Sequence, residues 1–127
     1  MALKVEIKLG ERIIIGDSLI TNDGHRARLL IEGDAPILRE KDILLPDDAD
    51  TPSKKIYLII QLMYLANDPR KHHELYFQLI KDLQTAAPST AQNIDEINNL
   101  ILTGSYYKAL KSANKLIAYE KELMKNA

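Results

Sequence analysis

The sequence predicts an α+β protein. A small N-terminal antiparallel β unit fills residues 1–50 and a four-helix part fills residues 51–127, with copies of the chain joined through the β unit. Two observations carry this. Up to about residue 50, apolar and polar residues alternate in short runs punctuated by glycine, the period of half-buried strands. Beyond Thr51 the apolar residues recur every three or four positions and prolines stand at the openings, which is helical patterning. Strands followed by helices, rather than alternating with them, define the class.

In "LKVEIKL", Leu3, Val5, Ile7 and Leu9 alternate with Lys4, Glu6 and Lys8, a strand with one covered face. Gly10-Glu11 turns the chain into "RIIIG", a β-branched run suited to a strand covered on both faces. Gly16-Asp17 punctuates, Ser18 to Thr21 is extended, and Asn22-Asp23-Gly24 is a turn. "HRARLLIEG" alternates again, with Ala27, Leu29 and Ile31 on one face and Arg26 and Arg28 on the other. Ile37 to Leu38 and Asp42 to Leu45 form one further strand or two fragments. Five short strands make a small sheet, sandwich or partial barrel. A unit of that size buries too little surface to stand without docking or pairing, which favours a homodimer or higher homo-oligomer.

Thr51 is placed as N-cap and Pro52 as first residue of a helix running to about Ala66. That helix is apolar almost all round, so it is buried centrally or lies between subunits. Asp68-Pro69 opens a second helix to about Ala87, with Leu75, Leu79, Ile80 and Leu83 inward. Pro88-Ser89 opens a third, with Ile94, Ile97 and Ile101 on one face and Gly104 at its end. The fourth runs from Ser105 to about Lys125, with Tyr106, Leu110, Ala113 and Ile117 inward.

Composition narrows the function. Of the 127 residues 46% are apolar, enough for a real core, and the absence of cysteine removes disulfides and thiolate metal sites. The opening "MALKVEIKLGER" has no apolar stretch of the signal-peptide kind, and the run Ile56 to Ala66, broken by Gln61, is too short to span a membrane. A soluble, cytoplasmic protein without membrane contact is expected. The net charge of -1 divides unevenly: residues 1–50 hold seven basic against eleven acidic side chains, a net of -4, and the remainder carries +3. Strong nonspecific nucleic-acid binding is therefore not predicted, and any phosphate contact is local.

Catalytic patterns are lacking. Asp68 and His72 could supply two metal ligands, but nothing nominates a third, and His25 and His73 have no evident partner. No nucleophile elbow and no phosphate-binding glycine loop occurs, so the chain reads as neither an enzyme nor a cofactor or metal carrier. Two basic features remain. Lys108, Lys111 and Lys115 lie on one face of the last helix, a secondary stripe that Glu122 interrupts and that also fits a solvated lysine face. The run Arg39-Glu40-Lys41-Asp42 sets four charges between apolar segments, either as an exposed edge that discourages strand aggregation or as a contact surface. The tyrosines fall mostly at helical core spacing, and the β part has no aromatic residue.

"DAPILREKDIL", "DTPSKKIYLIIQLMYL" and "LILTGSYYKALKSANKLIAYEKELM" together resemble the FlbT family of flagellin regulators over essentially the whole length. The resemblance implies a non-enzymatic repressor acting on the 5′ untranslated region of flagellin messenger RNA, in concert with the flagellar protein FlaF. A shorter likeness joins "GERIIIGD", "GHRARLLIEGDAP" and "REKDI" to the carbon storage regulator (CsrA), an intertwined β dimer that binds messenger leaders. In that family basic residues of the first strand and an arginine of the last strand contact RNA. Arg39 matches that arginine and Lys8 the second basic residue, while Ile7 stands where the family has a further basic one. The resemblance thus implies an RNA site at Arg39 and Lys8, joined by Lys41, Lys4 and Arg12. The alternative reading is an adaptor whose helical part binds FlaF, flagellin or another flagellar component and touches RNA only indirectly.

Overall fold

The computed structural model describes residues 2–126. Two compact units divide the chain, one up to Ile43 and one from Leu44 onward. The order of elements is that of an α+β protein, strands first and four helices after.

In the first unit, β1 (Ala2–Ile7) pairs antiparallel with β4 (Ala27–Glu32), and β2 (Arg12–Ile15) lies between β3 (Ser18–Thr21) and β5 (Ile37–Arg39), both antiparallel to it. The pleat sorts the side chains. Val5 opposes Leu29 and Ile7 opposes Ala27 on the covered face of the first pair, leaving Lys4, Glu6 and Arg28 outward. Val5, Ile7 and Ile13 form the buried nucleus, and Ile15, Leu29, Ile31 and Ile37 pack around it, so the two sheets share one apolar core. Gly16, with φ of +62°, makes the tight β2–β3 turn at little steric cost.

Two expectations change here. "RIII" is not covered equally on both faces, for Ile13 is buried while Ile14 and Ile15 are only half-buried. The stretch from Glu40 is not extended either. Glu40–Asp42 forms a 3₁₀ turn, closed by Ile43 N–H donating to the Glu40 carbonyl at 3.1 Å. The strand therefore ends at Arg39, and Lys41 lies in the turn that follows.

The second unit holds α1 (Pro52–Leu65), α2 (His73–Ala86), α3 (Ala91–Leu102) and α4 (Tyr106–Lys125), with 3₁₀ turns at Pro46–Asp48, Pro69–His72 and Pro88–Thr90. Thr51 caps α1 as its sequence position predicts, its Oγ1 accepting from Lys54 N–H at 3.2 Å. Next to that cap, Ser53 N–H donates to the buried Glu120 carboxylate of α4 at 2.9 Å. α1 packs against α4 and α2, and α3 against α4. Ile56, Ile59, Ile60 and Met63 of α1 are buried, which accounts for its apolar girth. Gln61, the polar break in the apolar run, is buried too. Its amide donates to the Leu44 carbonyl at 3.0 Å and accepts from Leu44 N–H at 2.8 Å.

On α3 the buried face is Ile94, Ile97 and Ile101 as predicted, and Gly104 ends the helix with φ of +74°. On α2 the face is rotated from expectation. Tyr76, Ile80 and Leu83 are buried, whereas Leu75 is 53% exposed. The reason is chemical: Tyr76 presents a larger ring than leucine and its hydroxyl finds Asn98 Oδ1 at 2.6 Å, so it is the better core residue. On α4, Leu110 and Ala113 are buried and Tyr106 and Ile117 half-buried, with Ala109 and Leu116 completing the face.

Candidate functional site

Arg39 ends β5, opposite Ile13 of β2, and one residue along β2 stands Arg12. Both guanidinium-bearing residues border a shallow hollow of about 30 Å³ whose floor is Val5, Ile7 and Ile13. Its rim also includes Glu6, Glu11 and Glu40. A hollow this small holds about one water and no nucleobase, so chemistry here is that of a surface.

The charges are not equivalent. Glu40 Oε1 accepts from Arg12 Nε at 3.1 Å and from Arg12 N–H at 3.3 Å, which commits Arg12 to a carboxylate inside the same unit. Arg26 is likewise joined to Glu6 at 3.1 Å. Arg39 is exposed and makes no ion pair among the described residues, and the same holds for Lys4, Lys8 and Lys41. Lys8 sits at the turn after β1, where its backbone N–H donates to Glu11 Oε1 at 2.9 Å. It does not border the hollow of Arg12 and Arg39. The structure thus brings Arg12 and Arg39 to one rim, keeps Lys8 at a neighbouring turn, and leaves Lys4 on the outer face of β1.

The three rim carboxylates are what the sequence did not place. Glu40 lies 28 positions from Arg12, and only the β2–β5 register brings the two together. The one hint was adjacency: Glu40 follows Arg39 directly.

The secondary stripe on α4 is also partly engaged. Lys115 Nζ lies 3.7 Å from Glu96 of α3, a carboxylate that Ser112 Oγ also meets at 2.9 Å. Lys111 Nζ stands 5.0 Å from the Tyr107 ring centroid, and Lys108 is exposed. Asp68, the conceivable metal ligand, accepts from Arg70 instead, and His73 Nε2 meets the Tyr106 hydroxyl at 3.2 Å. Among the described residues no three His, Asp or Glu side chains gather as a metal site, and no helix is long and apolar enough to cross a membrane.

Comparison with known proteins gives this arrangement its context. The profile of the family described as flagellar protein FlbT matches residues 3–124. A Bradyrhizobium diazoefficiens protein named probable flagellum biosynthesis repressor protein FlbT 1 is 58% identical over 97% of this chain and 85% of its own length. A Rhodopseudomonas palustris relative, named probable flagellum biosynthesis repressor protein FlbT, is 52% identical over 98% of both chains. The Caulobacter vibrioides flagellum biosynthesis repressor protein FlbT is 33% identical over 96% of this chain and 89% of its own. No solved structure matches. With a family profile spanning all but a few terminal residues, the chain belongs to the FlbT family of flagellar proteins.

Proposed function

We propose that this protein represses flagellum biosynthesis in the cytoplasm by binding the 5′ untranslated region of flagellin messenger RNA. Arg39 is the central contact, with Lys41, Lys8 and Lys4 meeting phosphates around it and Arg12 joining when its carboxylate partner yields. The repressor names of relatives up to 58% identical support the first half. The observation that carries the second half is the exposed Arg39, with no carboxylate bound to it among the described residues, and the resemblance to the carbon storage regulator implies its RNA contact. An exposed guanidinium offers a planar fork of donors to a guanine edge or a phosphate. The protein acts as a homodimer or higher oligomer, because a two-sheet unit of some forty residues presents open strand edges.

A gel shift of the purified protein on its flagellin leader at low salt tests this. Arg39→Ala is expected to weaken binding about tenfold, and removing any one phosphate-binding cation should flatten the salt dependence by about 0.7 in log–log slope. No shift of the leader at low salt would overturn direct binding.

One observation favours a second reading. Three carboxylates share the rim with Arg12 and Arg39 and repel a polyanion there, which favours the helical part as the binding surface. In that reading the chain is an adaptor that acts through a partner such as FlaF or flagellin. Such an adaptor would bind its partner with undiminished affinity after Arg39→Ala.

A further inference from the structure

Five of the chain's seven Tyr and Phe residues come together where α1 ends and α2 and α4 begin. Tyr64 of α1 and Tyr107 of α4 have ring centroids 5.5 Å apart. The neighbouring Tyr106 meets the His73 ring at 6.3 Å, and His73 stands edge-on to Phe77 at 6.4 Å. Phe77 in turn stands edge-on to the buried Tyr76 at 5.0 Å. Tyr106 is hydrogen-bonded to His73 and Tyr76 to Asn98. Yet Tyr107 is 42% and Phe77 40% exposed.

Cations border the run. Lys111 lies over the Tyr107 ring, Lys108 is exposed one residue further along α4, and Lys71 is exposed two residues before His73.

We infer that this face of the helical unit takes unpaired bases of an RNA strand, with Tyr107 and Phe77 as stacking surfaces and Lys71 and Lys108 meeting the phosphates. The inference rests on the RNA reading above and adds a contact region that reading does not contain. Single-stranded RNA is held by pairing aromatic faces with backbone cations, and the first unit has no aromatic residue to offer. The kind of cation separates RNA from a protein partner. Lysine is depleted in protein–protein interfaces, where aromatic residues and arginine dominate, while lysine beside rings suits a phosphate backbone.

The test uses the full chain and two probes, a labelled ten-nucleotide single-stranded oligoadenylate and the flagellin leader, both at low salt. Tyr107→Ala and Phe77→Ala are each expected to weaken oligoadenylate binding at least about fivefold, while Tyr107→Phe, which keeps the ring, binds as wild type. Lys108→Glu, at an exposed position, is expected to weaken it comparably without affecting the fold, as far-UV circular dichroism would verify. The inference is overturned if the wild type does not bind oligoadenylate, or if folded alanine variants bind both probes as tightly as wild type. Loss of leader binding with Arg39→Ala but not with the ring variants would leave the leader reading standing and make this face a protein-docking surface. The reverse pattern would remove the Arg39 assignment and support the stacking face.

Discussion

Replacing Glu120 by alanine tests how α4 holds the start of α1. Glu120 is 8% exposed and Ser53 fully buried, and the Ser53 N–H donates to the carboxylate at 2.9 Å. Ser53 is the second residue of α1, where backbone N–H groups lack partners inside the helix. Stranding a buried donor costs about 1–3 kcal/mol. Losing a carboxylate from a helix N-terminus adds about 0.3–1 kcal/mol, and the missing methylene about 0.8 kcal/mol. The sum is about 2–5 kcal/mol, or a fall in Tm of about 8 °C or more for a unit of this size. Thermal unfolding followed by far-UV circular dichroism reads it directly.

Two controls sharpen the result. Glu120→Gln keeps an acceptor and loses only the charge, so its cost is about 1 kcal/mol. Ser53→Ala keeps the N–H and removes a buried hydroxyl that has no hydrogen-bond partner among the described residues, so it is neutral or slightly stabilising. A Glu120→Ala protein melting within about 2 °C of wild type would refute the reasoning, since about 1 kcal/mol alone moves a domain of this size by some 4–8 °C.

Two further outcomes follow from the same geometry. Burial raises the Tyr76 phenol above its ordinary value, so the folded chain keeps it neutral at a pH where the unfolded chain ionises it. Its stabilisation is complete below about pH 10 and is lost as the pH climbs toward the folded value. Tyr76→Phe removes that alkaline loss and costs about 1 kcal/mol at neutral pH through the missing bond to Asn98, both visible in urea melts. Glu40→Gln neutralises the carboxylate that holds Arg12 and is expected to tighten leader binding about threefold at low salt. That gain should fade as salt rises, and a weaker complex at low salt would count against Arg12 as a phosphate contact.

Where a pattern is local, the sequence carries it into the structure. Thr51-Pro52 opens α1, the i, i+3, i+7 isoleucines line the inner face of α3, and Ala27, Leu29 and Ile31 share the covered side of β4. What it does not carry depends on distant partners. Tyr76 takes the α2 face in line with Ile80 and Leu83, and Asn98 of α3, 22 positions away, accepts its hydroxyl. Ile37 to Leu38 and Asp42 to Leu45 read as one strand or two fragments, but the Glu40 carbonyl accepts from Ile43 N–H and closes a turn. The candidate site shows the same limit. Arg39 stands out in the sequence, whereas the acidic half of its rim is assembled from β1, the β1–β2 turn and the residue after β5.

Gln61 ties α1 to the segment that leads into it. An amide carries a donor and an acceptor at the spacing of a peptide bond, and Gln61 spends both on the backbone of Leu44. It acts as a borrowed peptide unit inside a helix, giving an otherwise irregular stretch the two-way grip that a neighbouring strand would provide. Glutamate in its place would forfeit the donor, leucine would forfeit both, and asparagine is a methylene short. The course of the chain into α1 is therefore written seventeen residues downstream of the segment it governs.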